Sequence, residues 1–226
     1  VKALRLSAEP LTSILGNTER MRSHTASRSW KNAKVKLENI PNPEPGENEI
    51  LIRVRYCGLC GSDFHLAEGA YPGLASLPVT IGHEFSGTVA GYGAGTKAEI
   101  IERFPLGSPL TAEEMQWCGS CGACRYGHLN HCENLEELGF TVDGAHGEFT
   151  AINAKYCWSL SELAKKVGEE NAYRLGALVE PYSVSFRALF QGAHAGSWIT
   201  GMPVLVIGGG PNGLAAVHLA LTAGPL

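Results

Sequence analysis

Residues 117–132 read WCGSCGACRYGHLNHC, placing Cys118, Cys121, Cys124 and Cys132 at spacings C-x2-C-x2-C-x7-C in a run rich in Gly, Ser, Asn and Tyr. Two-residue gaps let neighbouring thiolates turn back toward one point, and the longer gap returns the fourth. Four thiolates around one tetrahedral ion, at about 2.3 Å, form a closed zinc site with no position left for substrate. Read this way, the site is structural. Two other readings compete with it. One is four unrelated buried cysteines. The other is iron–sulfur ligation, whose C-x2-C-x2-C-x3-C-P run has a shorter last gap and a following proline that this chain lacks. Zinc is favoured.

Working outward, the surroundings of the cysteines limit the partners. Between residues 112 and 136 a single Arg125 faces Glu113, Glu114, Glu133 and Glu136, the wrong sign for a zinc ribbon on nucleic acid. The whole chain of 226 residues carries a net charge of −4, with 44% apolar and 18% charged residues, so it has no basic footprint. It is long enough for one large domain or two small ones with real cores. Seven cysteines, several at C-x2-C spacing, suggest metal in a reducing compartment over a disulfide scaffold. With no 18-residue apolar run and no signal-like start, the expectation is a cytoplasmic protein with no membrane partner.

Residues 2–7 alternate like an edge strand. Residues 9–32 break the pattern, and Arg20, Arg22, Arg28, Lys31, Lys34 and Lys36 cluster between 20 and 36. A solvated loop accounts for them, as does a flap offering Arg22 or Arg28 to an anion. Residues 34–40 form a second strand before the turn segment PNPEPG at 41–46. Residues 50–56 (ILIRVRY) alternate apolar and basic as a half-buried strand, then run into CGLCGSDFH at 57–65. A further strand within 78–95 carries glycines that suggest bulges or close backbone approach. Residues 147–154 and 155–159 are strand-like. Residues 161–168 and 171–191 read as helices, the first capped by Ser161. Short strands followed by helices imply a β-rich, barrel-like domain giving way to an α/β unit.

The segment 203–208 (PVLVIG) is a continuous apolar run, as expected of a parallel strand buried on both faces. The loop Gly208-Gly209-Gly210-Pro211-Asn212-Gly213 and an apolar helix at 214–223 follow. In that setting G-x-G-x-x-G predicts a dinucleotide site: Gly208 for the tight turn, Gly210 for approach of the pyrophosphate, Gly213 for close helix–strand packing. The phosphates would sit on the N–H groups of the helix start. An acidic ribose ligand is expected about 20 residues beyond the first glycines. Since one strand and one helix cannot bury such a core, we expect a truncated nucleotide domain and no turnover by these residues alone.

From the residues alone, Cys60, His83, Glu84 and Glu180 are competent zinc ligands, each ambiguous in isolation. The motifs CGSDFH at 60–65, GHE-x2-G-x5-G at 82–93, the four-cysteine lobe, EP-x-S at 180–183 and the glycine loop at 208–213 occur in one order. That order resembles the zinc-dependent medium-chain dehydrogenases/reductases across nearly the whole chain outside 9–32. The resemblance implies an α/β fold with a β-rich part: a GroES-like catalytic domain at 1–185 with a zinc lobe at 113–133, then the start of a Rossmann domain at 186–226. It implies that Cys60 and His83 bind catalytic zinc with Glu84 and Glu180 as carboxylate ligands, direct or through water, while Cys57 and Cys157 are structural. Two zinc ions per chain and NAD or NADP follow from it, as does assembly of the full-length protein as a dimer or tetramer. It also implies that Ser62 takes the proton first and His65 passes it to solvent. Ser62 alone could instead cap a helix.

Glu180-Pro181 stands where other members of the family carry a cysteine ligand, which resembles the sorbitol and threonine dehydrogenase branch. The segments ERMRS at 19–23, TAEEM at 111–115 and LEELGFTVDG at 135–144 are similar to inosose (cyclitol ketone) dehydrogenases. The implied chemistry is hydride transfer between a secondary alcohol (a polyol, sugar or cyclitol, alternatively an L-threonine-like hydroxy amino acid) and the nicotinamide. A non-catalytic zinc-stabilised binding module, or an inactive fragment of such an enzyme, is the alternative. Asn212 and Ser108 depart from the family pattern.

Overall fold

The computed structural model describes residues 1–10, 30–68, 75–190 and 202–224. The proposed flap arginines Arg22 and Arg28 lie outside the described residues. The chain divides into two compact units, 1–177 and 178–226.

In the first unit, β1 (Lys2–Pro10), β2 (Trp30–Asn39) and β4 (Val79–Thr80) form an antiparallel sheet in the order β2-β1-β4. The edge strand expected at residues 2–7 is therefore the central one. Its cation does not prevent this, because the Arg5 guanidinium is satisfied by the Asp143 carboxylate, Thr80 Oγ1 and the Pro78 carbonyl. Pairing also continues through Glu9↔Lys31 and Pro10↔Trp30, so the strands extend into the stretch read as irregular.

A second, five-stranded antiparallel sheet runs β10-β6-β5-β3-β9, from β3 (Glu49–Cys57), β5 (Phe85–Tyr92), β6 (Pro109–Ala112), β9 (Phe149–Asn153) and β10 (Cys157–Ser159). In β3 the expected alternation holds: Ile50 and Ile52 are fully buried while Arg53 is exposed. With Phe85, Val89, Phe104, Leu110, Leu138 and Ile152 they make the main core. Burying each such side chain contributes about 1.5–3 kcal/mol. The glycines of 78–95 do mark close approach, for a Cβ on Gly87 would lie 2.5 Å from the Arg53 carbonyl oxygen.

Short helices bridge the strands: α1 (Gly61–Ala67), α2 (Ala98–Arg103) and α3 (Gly122–Arg125). The two-residue strands β7 (Met115–Gln116) and β8 (Glu136–Glu137) pair beside the cysteine lobe. After β10 come α4 (Ser161–Val167) and α5 (Glu169–Gly176). Ser161 is not the cap of α4. Leu160 holds the cap position, and Ser159 Oγ accepts from the Ser161 amide at 3.2 Å.

The second unit contains α6 (Val179–Phe190) and α7 (Pro211–Ala223). The single helix expected at 171–191 is split between α5 and α6, and Pro181 explains the break. A proline lacks the amide an interior turn needs, but it is tolerated in the first turn, where it lies in α6. The buried strand expected at 203–208 is absent. Among the described residues no strand occurs in this unit, so the segment has no ladder partner, and Leu205 and Ile207 are 85% and 90% exposed. Hydrophobicity alone does not make a strand without a neighbour to bond. No described helix is long and apolar enough to cross a membrane.

Candidate metal centres and cofactor loop

β3 delivers Cys57 to the loop that precedes α1. The Gly58 amide donates to the Glu84 carbonyl at 2.7 Å, drawing residues 57–60 beside 83–84. Cys60 then occupies the cap position of α1, and its amide donates to Asp63 Oδ2 at 2.9 Å. This pins the backbone that carries the Cys60 thiol. The result is a cluster in which the donor atoms of Cys60, His83 and Glu84 all lie within 4.8 Å of one another.

His83 is buried, with its ring 5.4 Å from that of Phe140, and its Nδ1 has no hydrogen-bond partner. Burial disfavours its charged form. Contact with the Cys60 thiol and the charge of Asp63 outweigh that, pushing His83 up to about 9. In turn His83 draws the Cys60 thiol below its ordinary value against partial burial. Each group thus shifts the other toward its charged form. One soft thiolate, one imidazole with an orphaned buried nitrogen and one carboxylate are the donor types of an open zinc site. The residues fit the ion. Glu180 belongs to the second unit, in the first turn of α6.

Ser62 lies inside α1 with its Oγ buried, and Cys60 holds the cap position, so Ser62 does not cap the helix. His65 follows one turn later and is half exposed, its Nδ1 3.8 Å from Glu68. Burial, reinforced by Asp63 and Glu84, pushes the Cys57 thiol strongly up, and burial raises Cys157 to about 12. Both remain neutral thiols at pH 7.

Cys118, Cys121, Cys124 and Cys132 form the second cluster, again with all donor atoms within 4.8 Å. Amides surround the sulfurs: Ser120 and Cys121 donate to Cys118 at 3.4 Å, Cys124 to Cys121 at 3.5 Å, and Cys118 and Asn134 to Cys132 at 3.2 and 3.4 Å. Such N–H donors favour thiolates and orient metal ligands from the second layer. The Ser120 hydroxyl and amide hold Cys118 down at about 5, whereas burial pushes Cys124 up to about 12. A bound cation would resolve this asymmetry by displacing the remaining protons. The lobe is rooted in the core through Trp117, whose carbonyl accepts from Tyr156 Oη at 2.6 Å and Lys155 Nζ at 2.9 Å.

In the second unit Gly210 caps α7 and Pro211 takes its first turn. Gly208 has φ +108°, and a Cβ on Gly213 would lie 2.0 Å from the Gly208 carbonyl oxygen. A Cβ on Gly209 or Gly210 would meet nothing within 4 Å, so that face is open to a ligand. Asn212 leaves the loop intact, its carbonyl accepting from Ser185 Oγ at 2.9 Å.

Two residues that sequence reasoning left without a role support the first cluster. Asp63 is buried and anchors the Cys60 amide; an acid three residues after a helix cap is a legible sign. His146 packs its ring where a Gly82 side chain would stand and lies 3.7 Å from Asp63. No local pattern announces that contact.

The model of the alcohol dehydrogenase GroES-like domain matches residues 46–162, and the chain belongs to that family. It is similar to the scyllo-inosose 3-dehydrogenase of Thermotoga maritima, with 46% identity over 206 residues, covering 88% of this chain and 52% of that one. It is 35% identical to a sorbitol dehydrogenase of Halalkalibacterium halodurans over 189 residues, 83% of this chain and 50% of the relative. A solved Thermotoga maritima structure, provisionally assigned as an alcohol dehydrogenase, superposes with a TM-score of 0.84 at 41% identity, covering 99% of this chain and 60% of that one. The chain thus spans about half the length of the curated relatives it matches.

Proposed function

We propose that this chain carries the catalytic metal unit, and the beginning of the nucleotide unit, of a zinc-dependent oxidoreductase. The reaction is reversible hydride transfer between a secondary alcohol and NAD or NADP. The catalytic domain is read as residues 1–185 and the nucleotide domain as starting at 186. The observation that carries this reading is the open three-donor cluster Cys60–His83–Glu84 standing in the same unit as a closed four-thiol cluster. A purely structural module would need only the second.

Cys60, His83 and Glu84 hold the catalytic ion, the family resemblance adding Glu180 only as a carboxylate that binds through water or in place of Glu84; the four lobe cysteines hold a structural ion, giving two per chain. When bound, zinc polarises the alcohol oxygen as a Lewis acid and the nicotinamide accepts the hydride. Ser62 Oγ, buried and near Cys60 in the sequence, takes the hydroxyl proton as it hands its own on toward half-exposed His65, which passes it to water. Asp63 keeps the Cys60 backbone fixed meanwhile. The open Gly209–Gly210 face and the start of α7 receive the cofactor phosphates. The likeness to a scyllo-inosose dehydrogenase and a sorbitol dehydrogenase supports a polyol or cyclitol substrate over an L-threonine-like one.

Metal analysis combined with nucleotide titration tests this reading. Two zinc ions per chain and saturable binding of NAD or NADP are expected. One zinc and no nucleotide binding would mean a zinc-stabilised binding module instead.

A further inference from the structure

The acidic stretches 111–115 and 135–144 find no use in metal binding, yet the fold brings them to the metal cluster. In the β7–β8 ladder Met115 faces Glu137, and the Leu138 amide donates to the Glu114 carbonyl at 3.0 Å. These bonds fasten the two acidic segments together. The turn after β8 then folds over the His83 loop. The Glu137 carbonyl accepts from the Phe140 and Thr141 amides at 3.0 and 2.9 Å, and the Glu137 amide donates to Thr141 Oγ1 at 2.7 Å. That tight turn touches the cluster at two points: Gly139 packs against the Gly82 backbone, where a Cβ would lie 2.8 Å from the Gly82 nitrogen, and the Phe140 ring lies against His83.

We infer that Glu114 and Glu137 are specificity-determining residues, which accept hydrogen bonds from the non-reacting hydroxyls of a neutral polyhydroxy substrate beside the metal cluster. The inference rests on the reading of Cys60–His83–Glu84 as an open metal site. Both side chains are half-buried. Among the described residues the Glu137 carboxylate makes no hydrogen bond, and burial is the main cause raising its pKa. The charges of Glu114 and His83 interact, as do those of His83 and Glu137, so both carboxylates lie within electrostatic reach of the cluster.

An ionised carboxylate is an acceptor with about four lone-pair sites, suited to adjacent hydroxyls and useless to a hydrocarbon chain. A site built to bond hydroxyls also rejects substrates that lack them, because the Glu137 carboxylate would be left unpaired. The two charges, together with Asp63 and Glu84, disfavour an anionic substrate.

The test uses the full chain loaded with cobalt(II), whose visible spectrum reports ligands entering the open metal position without turnover. Wild type, E114Q and E137Q are titrated with myo-inositol, a neutral six-hydroxyl cyclitol, and with imidazole, which needs only the metal. The expected result is a spectral change with both ligands in wild type. Each variant should then lose at least tenfold in myo-inositol affinity while its imidazole affinity stays within twofold, since a hydrogen bond to a charged group is worth about 1.5–3 kcal/mol. Unchanged myo-inositol affinity in both variants overturns the inference, as does imidazole binding without myo-inositol binding in wild type. Equal loss of both ligands in the variants also overturns it, since the substitutions would then act on the metal site itself. If neither ligand alters the wild-type spectrum, the open-site reading fails and the inference with it.

Discussion

The Glu84 carboxylate occupies the space that a side chain on residue 58 would need: a Cβ on Gly58 would lie 2.6 Å from Glu84 Oε2. The same two residues are joined by the Gly58 amide and the Glu84 carbonyl, so backbone and side chain of Glu84 are both set by a glycine 26 positions away. Gly58→Ala must therefore displace either the carboxylate or the loop carrying Cys60. We expect this variant to lose the catalytic ion and keep the lobe ion, falling from two zinc ions to one by elemental analysis. Retention of both would show that Glu84 is not held in place by this contact.

The cysteine lobe should respond differently. Cys121 is buried, accepts the Cys124 amide and shares one donor cluster with three other thiols. Cys121→Ser should release the structural ion and destabilise the chain by about 3 kcal/mol, or roughly 6–12 °C in melting temperature. Calorimetry of variant and chelator-treated wild type should give similar losses.

Cys157 gives a pH prediction. Its thiol is held at about 12 by burial, against an ordinary value of 9.0. Above pH 9 the unfolded chain releases this proton while the folded chain keeps it, so the folded state binds more protons and stability falls as pH rises. The loss develops between pH 9 and about 12, with a limiting slope of about 1.4 kcal/mol per pH unit for this group. Urea midpoints at pH 8 and 10 should fall further in wild type than in Cys157→Ala. Equal falls in the two proteins would remove the assignment.

In the glycine loop a methyl on Gly213 would collide with the Gly208 carbonyl. Gly213→Ala should move the loop away from the start of α7 and weaken NAD or NADP binding at least tenfold by fluorescence titration. Zinc content should not change, because the Cys60–His83–Glu84 and four-cysteine clusters both lie in the first unit. Undiminished binding would exclude this loop as the phosphate cradle.

The clustering of Cys118, Cys121, Cys124 and Cys132 is legible because all four lie at close spacing in one contiguous stretch. The strands around Ile50 and Ile52 were legible because alternation survives wherever one face is buried. What escaped depended on distant partners. The central place of β1 rests on Arg5 meeting Asp143 and Thr80, and His146 reaches Asp63 across 83 residues. The apolar run at 203–208 forms no strand for the complementary reason: a strand is a relationship between two segments, and among the described residues this one has no partner. Pro181 is a local sign of the split within 171–191, since proline is tolerated only in a helix's first turn. The glutamates at 114 and 137 were visible as part of a resemblance, while their nearness to His83 emerged only from the β7–β8 ladder.

The pairing of β1 also dictates an order of events during synthesis. Leu4 accepts the Ile81 amide at its carbonyl and gives its own amide to His146, and Leu6 pairs with Val79. β1 therefore emerges from the ribosome ahead of its partners and waits for residues some 75 and then 140 positions later before these hydrogen bonds are complete. Such long closures are slow steps in folding. The segment just before His83 is secured only when they finish, so the four lobe thiols, which lie within one short stretch, can come together before Cys60, His83 and Glu84 do.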